Sequence, residues 1–254
     1  MKCKLCQKIS NLRKSHVIPE AFWTSIYDKK HRALPISLEG SDLKYIQKGI
    51  YEKLLCQDCE KKFSKWESVL KRDLRDFGKK TSNYLKIKEI KKTNGYLIHI
   101  KNIKYKEFKL AILSILWRMS ISSDPFFDGY NLGPYEAKLR HLLFNETAPD
   151  EKQYPFMVSR FEIKGNFYPG IIMCSTPGKY GRLLTVQHFV IWGHRFSIFV
   201  NDRIAPDIPQ ELILRNSGEL YVGVSDLTQL VNGNNVLSKI RDEKVQKRFQ
   251  NMKW

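Results

Sequence analysis

Four of the five cysteines fall in two Cys-x2-Cys pairs, Cys3/Cys6 and Cys56/Cys59, and the segment Ser15-His16-Val17-Ile18-Pro19 lies between them. Two thiolates at that spacing grip one tetrahedral metal with sulfur to metal distances of about 2.3 Å, and four close a structural zinc site. A disulfide framework is the competing reading. The chain opens Met1-Lys2-Cys3-Lys4 with no apolar signal segment behind it, so the expectation is a reducing cytoplasm, where paired cysteines bind metal. Cys174, alone in an apolar run, reads as a small buried hydrophobe.

His16 and Glu60 are the candidate catalytic residues. Glu60 follows Cys59 in the first turn of an expected helix, where the helix dipole favours an acid. If both cysteine pairs share one zinc, a hairpin carrying His16 must fold back over that helix, bringing His16 and Glu60 to the same side. A neutral imidazole beside a carboxylate-held divalent ion is equipment for phosphodiester hydrolysis, with the base activating water and the metal stabilising charge on the phosphate and the leaving oxygen. The plainer readings are a packed structural histidine and a helix-start acid. Glu67 is expected to pair with Lys71 at i+4 on the surface.

The elements that must position these groups are legible from pattern. The first knuckle leads to a strand over Ser15 to Ile18, ended by Pro19, and a short helix from Glu20 to Tyr27. Gly40 and Gly49 mark turns between Arg32 and Tyr51. From Glu60 to Phe77, apolar positions at Phe63, Trp66, Val69, Leu70, Leu74 and Phe77 predict a helix with one buried stripe. Knuckle, hairpin, knuckle and helix is the treble-clef order, in which zinc stands in for a core.

Length and charge set the rest. At 254 residues the chain is expected to divide into a zinc module over 1–78, a basic connector over 79–109 and an α+β body over 110–254. Of the net charge of +18, residues 1–110 carry 27 Lys plus Arg against 12 Asp plus Glu, and the remainder 17 against 14. The zinc-bearing end therefore faces a polyanion, nucleic acid being the expected partner, with Lys14, Lys61, Lys62, Lys79 and Lys80 as candidate phosphate contacts. Tyr84, Tyr96 and Tyr105 are interleaved with the lysines as candidate stacking rings. A solvated basic surface is the bland alternative. No apolar stretch reaches the roughly 20 residues of a membrane span. In the body, helices are expected over Phe108 to Ser122 and from Pro134 to Phe144, an antiparallel sheet over Phe156 to Val224, and a closing helix from Ser225. Arg118, Glu136 and Arg140 are expected to form an internal ion-pair network, and the body is the expected surface for a partner subunit or a second copy.

Cys3-x2-Cys6, then Ser15-His16-Val17-Ile18-Pro19, then Leu54-Leu55-Cys56-x2-Cys59-Glu60 resembles the zinc-containing branch of the HNH, or His-Me finger, endonucleases. The resemblance covers about the first 75 residues, and the remainder resembles no family. It implies a treble-clef ββα-metal module, with His16 as general base, the four cysteines as zinc ligands, and Glu60 in place of a metal-binding histidine. It also implies Mg2+ or Mn2+ as the catalytic ion, DNA as the substrate in preference to RNA, and a setting such as restriction or phage defence. Three positions depart from the pattern: Ser15 replaces an acidic or histidine metal ligand, Glu60 replaces histidine, and no asparagine lies between His16 and Cys56 to orient the base. A non-catalytic zinc module that binds nucleic acid or a partner protein is the second reading those departures leave open.

Overall fold

The structure is a computed structural model that describes residues 1–33, 36–37, 46–77, 79, 81–92, 95–163, 166–167, 172–174, 177–180, 184–201 and 208–226. The order of elements is β1 (Leu12–His16), α1 (Glu20–Trp23), β2 (Ile36–Ser37), β3 (Tyr51–Cys56) and α2 (Gln57–Asp76). There follow β4 (Lys86–Lys92), β5 (Gly95–Lys101), α3 (Tyr105–Ile121) and α4 (Tyr135–Phe144). The remaining strands are β6 (Phe156–Ile163), β7 (Asn166–Phe167), β8 (Met173–Cys174), β9 (Gly178–Tyr180), β10 (Leu184–Ile191), β11 (His194–Phe199) and β12 (Leu220–Asp226). The architecture is mixed α+β.

β1 and β3 form an antiparallel pair, and the other described strands form a ten-stranded sheet in the order β2-β8-β10-β11-β6-β12-β5-β4, with β7 on β6 and β9 on β10, so the sheet draws strands from all three expected segments of the chain. The sheet is not wholly antiparallel as expected, because β12 runs parallel to β6 and β2 parallel to β8. A parallel pair needs a long crossover, which the chain from β7 to β11 supplies. The lysine-dense stretch contributes the β4–β5 hairpin, whose inner strand bonds to β12. Ile98 and Ile100 of β5 are buried, while Lys86, Lys88, Lys91 and Lys92 of β4 stand in solvent. Lysines on an outermost strand discourage further strand pairing.

α2 begins at the second cysteine pair, earlier than its apolar stripe alone indicates, and buries Phe63, Trp66, Leu70 and Leu74. α1 lasts four residues before it tightens into a 3-10 turn over Thr24–Ile26. α3 is buried all round: every residue from Phe108 to Met119 is inaccessible, as befits a helix enclosed by others and by a sheet. Phe77 at the end of α2 stacks on Phe108 of α3 at 5.8 Å, and Phe108 on Phe156 of β6 at 6.3 Å. One hydrophobic core therefore runs from Cys3 and Leu55 to Leu220 and Val222. Cys174 lies within it, its thiol pushed up by burial. Ser225 and Asp226 belong to β12, and the rest of the expected closing helix lies outside the described residues. Among the described residues no helix is long and apolar enough to cross a membrane.

Lys109 is the exception inside α3. It is 0% exposed, its Nζ has no hydrogen-bond partner, and it lies against the rings of Phe156 at 5.5 Å and Tyr105 at 5.8 Å. Burial lowers its pKa from 10.5 to about 7. Below pH 7 folded and unfolded chains both carry the proton, and the folded state bears the full cost of burying it. Between about 7 and 10.5 only the unfolded chain carries it, so stability rises with pH across that window. Lys109→Met is expected to stabilise the protein by about 2 kcal/mol more at pH 7 than at pH 9, read from urea unfolding. An equal gain at both pH values would show that Lys109 keeps an ordinary pKa.

Candidate metal centre and the histidine beside it

The sulfurs of Cys3, Cys6, Cys56 and Cys59 all lie within 4.8 Å of one another. Cys6 Sγ and Cys56 Sγ are 3.8 Å apart, about the edge of a tetrahedron with metal to sulfur arms of roughly 2.3 Å. Backbone geometry builds this cluster. In the first knuckle the Gln7 N–H donates to Cys3 O and the Cys3 N–H to Lys8 O, both at 2.9 Å, and Gln7 takes a left-handed φ of 63° to close the turn. The Lys4 N–H donates to Leu54 O at 2.9 Å, tying the knuckle to β3, and the Cys56 N–H donates to Cys3 Sγ at 3.3 Å. Burial opposes the Cys3 thiolate, but the backbone N–H groups around it outweigh that and hold its pKa below the usual value. Burial pushes the thiols of Cys6 and Cys59 up. Crowding further thiolates beside the first is repulsive unless a cation lies among them, and four soft, tetrahedrally disposed sulfurs suit zinc. The cluster is compatible with a structural zinc.

The β1–β3 register pairs Lys14 with Lys53, Ser15 with Glu52 and His16 with Tyr51. Alternation along β1 turns Ser15 inward and His16 outward. Ser15 is fully buried; its hydroxyl donates to a carboxylate oxygen of Glu60 and accepts from the Leu55 N–H at 3.2 Å. Glu60, expected to hold a catalytic ion, is thus bonded to Ser15. Burial raises the pKa of Glu60, reinforced by Glu67 and opposed by Ser15 and Arg118.

His16 is half-buried, edge-on to Tyr51 at 5.7 Å, with Nε2 2.8 Å from Glu20 Oε2. Glu20, at i+4 across Pro19, is the carboxylate that faces the ring. Burial lowers the His16 pKa, Glu20 opposes that, and Arg118 adds to it, so the imidazole is neutral at pH 7. Direct partners divide the expected pair: Ser15 holds Glu60, and Glu20 faces His16. The charges of Arg118 and Glu67 act on both.

Arg118 binds this region to α3. Its side chain is 2% exposed, and its guanidinium donates to His16 O at 2.6 Å and to Glu67 Oε1 at 2.5 Å while lying over the Phe63 ring. The expected network with Glu136 and Arg140 does not form: Glu136 accepts from Ser120 at 3.0 Å, and Arg140 donates to Leu5 O at 3.0 Å. Glu67 pairs with Arg118 in place of Lys71, because a buried guanidinium needs a counter-charge more than an exposed ammonium does. The signals for these partners were an arginine within an apolar run and an acid four residues after His16.

Lys14 is exposed beside His16, 4.9 Å from the Tyr51 ring centroid, and Lys61 is exposed on α2. Lys62 is engaged by Phe144 O and Glu146, and Lys79 by Asp76, while Lys80 lies outside the described residues. Of the interleaved tyrosines only Tyr84 is exposed; the hydroxyls of Tyr96 and Tyr105 are bound to Glu162 and Pro149 O. Comparison with protein-family models, curated proteins and solved structures finds no match to this chain.

Removing one sulfur by Cys56→Ser, or stripping metal with a chelator, is expected to cost much of the roughly 10 kcal/mol a structural zinc contributes and to unfold the N-terminal hairpin. Metal analysis with circular dichroism checks this, and unchanged zinc content and melting in the variant would contradict it. Arg118→Met leaves Glu67 and His16 O without their donor and is expected to destabilise the fold by about 3 kcal/mol, measured by denaturant unfolding.

Proposed function

We propose that the chain is a metal-dependent, HNH-type endonuclease that hydrolyses phosphodiester bonds in DNA, in a setting such as restriction or phage defence. The N-terminal knuckle, hairpin and helix are then a treble clef whose zinc holds β1 against α2. The observation that carries this reading is His16: a half-exposed histidine at a strand end, its pKa lowered by burial, with Nε2 facing a carboxylate. Glu20 at Nε2 favours the tautomer with the proton there, leaving the Nδ1 lone pair to take a proton from an attacking water. Arg118, bonded to the His16 carbonyl, fixes the strand end from which the ring projects. Lys14 and Lys61 supply exposed positive charge for the phosphate backbone.

Glu60 and Ser15 are hard oxygen donors of the kind Mg2+ or Mn2+ accepts together with water and substrate phosphate. Such an ion would be held by Glu60, with the Ser15 hydroxyl turned aside, and when bound it supplies stabilisation of charge on the phosphate and leaving oxygen. The Ser15–Glu60 hydrogen bond also favours a second reading, a non-catalytic zinc module that binds nucleic acid or a partner protein.

Plasmid cleavage with Mg2+ or Mn2+ separates the two. Wild type is expected to nick or linearise DNA, and His16→Ala and Glu60→Ala each to lose about 100-fold or more in rate while retaining zinc and DNA binding. DNA binding without cleavage over a range of metals and salt favours the non-catalytic module, and undiminished cutting by both variants overturns the roles given to His16 and Glu60.

A further inference from the structure

A cavity of about 340 Å3 opens on the face of the large sheet opposite α3, within the roughly 300–1,000 Å3 range of small-molecule sites. Phe156 and Phe196 pack into the core, so by alternation their neighbours in sequence face the other way. Arg195 of β11 pairs across the sheet with Ser159 of β6, and Ser159 with Gly223 of β12. One step along, His188 of β10 pairs with Ser197. The glycine leaves an open floor beside Ser159, since a Cβ there would meet only ordinary contacts, at 3.7 Å and beyond.

The charges in this cleft are all of one sign. None of its lining residues is acidic, whereas Arg195 and Lys179 both contribute to it. The Arg195 side chain makes no hydrogen bond or ion pair with any described residue, and burial alone lowers its pKa. A half-buried guanidinium without a counter-charge is costly in a folded chain, and it is well matched to a bidentate anion. Lys179 pairs with Thr185, one step out of phase with Val186 and His188, and its Nζ donates to Thr185 Oγ1 at 3.0 Å, so Arg195 is the cation whose side chain shares a face with Ser159 and Ser197. His188 is held 3.0 Å from Ser197 Oγ, and burial together with the neighbouring Arg195 keeps it neutral, with a pKa near 4. At the cleft's border Tyr221 stacks on His99 with ring centroids 4.2 Å apart and planes 2° from parallel. That pair makes a stiff flat platform of the kind on which planar rings settle.

We propose that this cleft is a second ligand site, which takes a small phosphomonoester carried on a flat ring, of the nucleoside monophosphate class. Arg195 holds the phosphate, Ser159 and Ser197 donate to it, and Tyr221 receives the ring. A phosphate fits better than a carboxylate, because the guanidinium fork of Arg195 and the hydroxyls of Ser159 and Ser197 offer more donors than a carboxylate's two oxygens take up. The site belongs to the body and is independent of the nuclease reading.

Calorimetric titration of the full zinc-loaded chain with AMP, UMP, adenosine and inorganic phosphate tests it. The nucleotides are expected to bind, adenosine and phosphate to bind at least about tenfold more weakly, and Arg195→Gln to lose about tenfold or more in nucleotide affinity, with Arg195→Lys recovering part. Should Arg195→Gln fail to fold, Tyr221→Leu carries the same test from the cleft's edge. The proposal is overturned by no nucleotide binding at millimolar concentration, by undiminished binding in folded variants, or by phosphate alone binding as tightly as the nucleotides.

Discussion

Four sulfurs within 4.8 Å of one another can all be thiolates only around a cation, and the N-terminal part of this protein is arranged to bring them together. The cluster draws the first knuckle onto the end of β3, where Lys4 and Cys56 supply the joining N–H groups, and sets the start of α2 directly after Cys56. Once α2 is anchored there, its apolar stripe has one direction in which to be buried. That direction is α3, and through α3 the large sheet.

Burial of charge is the second organising constraint. α3 is inaccessible over twelve consecutive residues and yet carries Lys109 and Arg118. Arg118 is satisfied by two acceptors from different elements and so ties the hairpin, α2 and α3 together, while Lys109 lies against aromatic faces, without a hydrogen bond, and feels Asp150 and Glu151 only as nearby charges. The same physics read outward distinguishes the two faces of the sheet. On the core face Arg160 is paired with Glu162 and Tyr96; on the outer face the Arg195 side chain has no such partner among the described residues.

The histidine region combines both constraints. Ser15 and His16 are neighbours in sequence, but the pleat sends one to Glu60 and the other to Glu20. A site that spans them must work through what they share: the charges of Arg118 and Glu67, and the rigid strand end fixed by the hydrogen bond to the His16 carbonyl.

The sequence by itself determined the local items. Cysteine spacing named the sulfur cluster, apolar periodicity placed α2, α3 and α4 within a turn or so, and composition located the charge, because each of these depends on residues close together in the chain. Partners separated by fifty or more residues were decided only in three dimensions. Ser15 with Glu60, Arg118 with Glu67 and His16 O, and β12 inserted parallel beside β6 depend on which surfaces meet once the core closes. Arg118 was visible as a buried charge in need of a partner, but its partner was not. A counter-charge is chosen by distance after packing, and spacing along the chain carries no record of that distance.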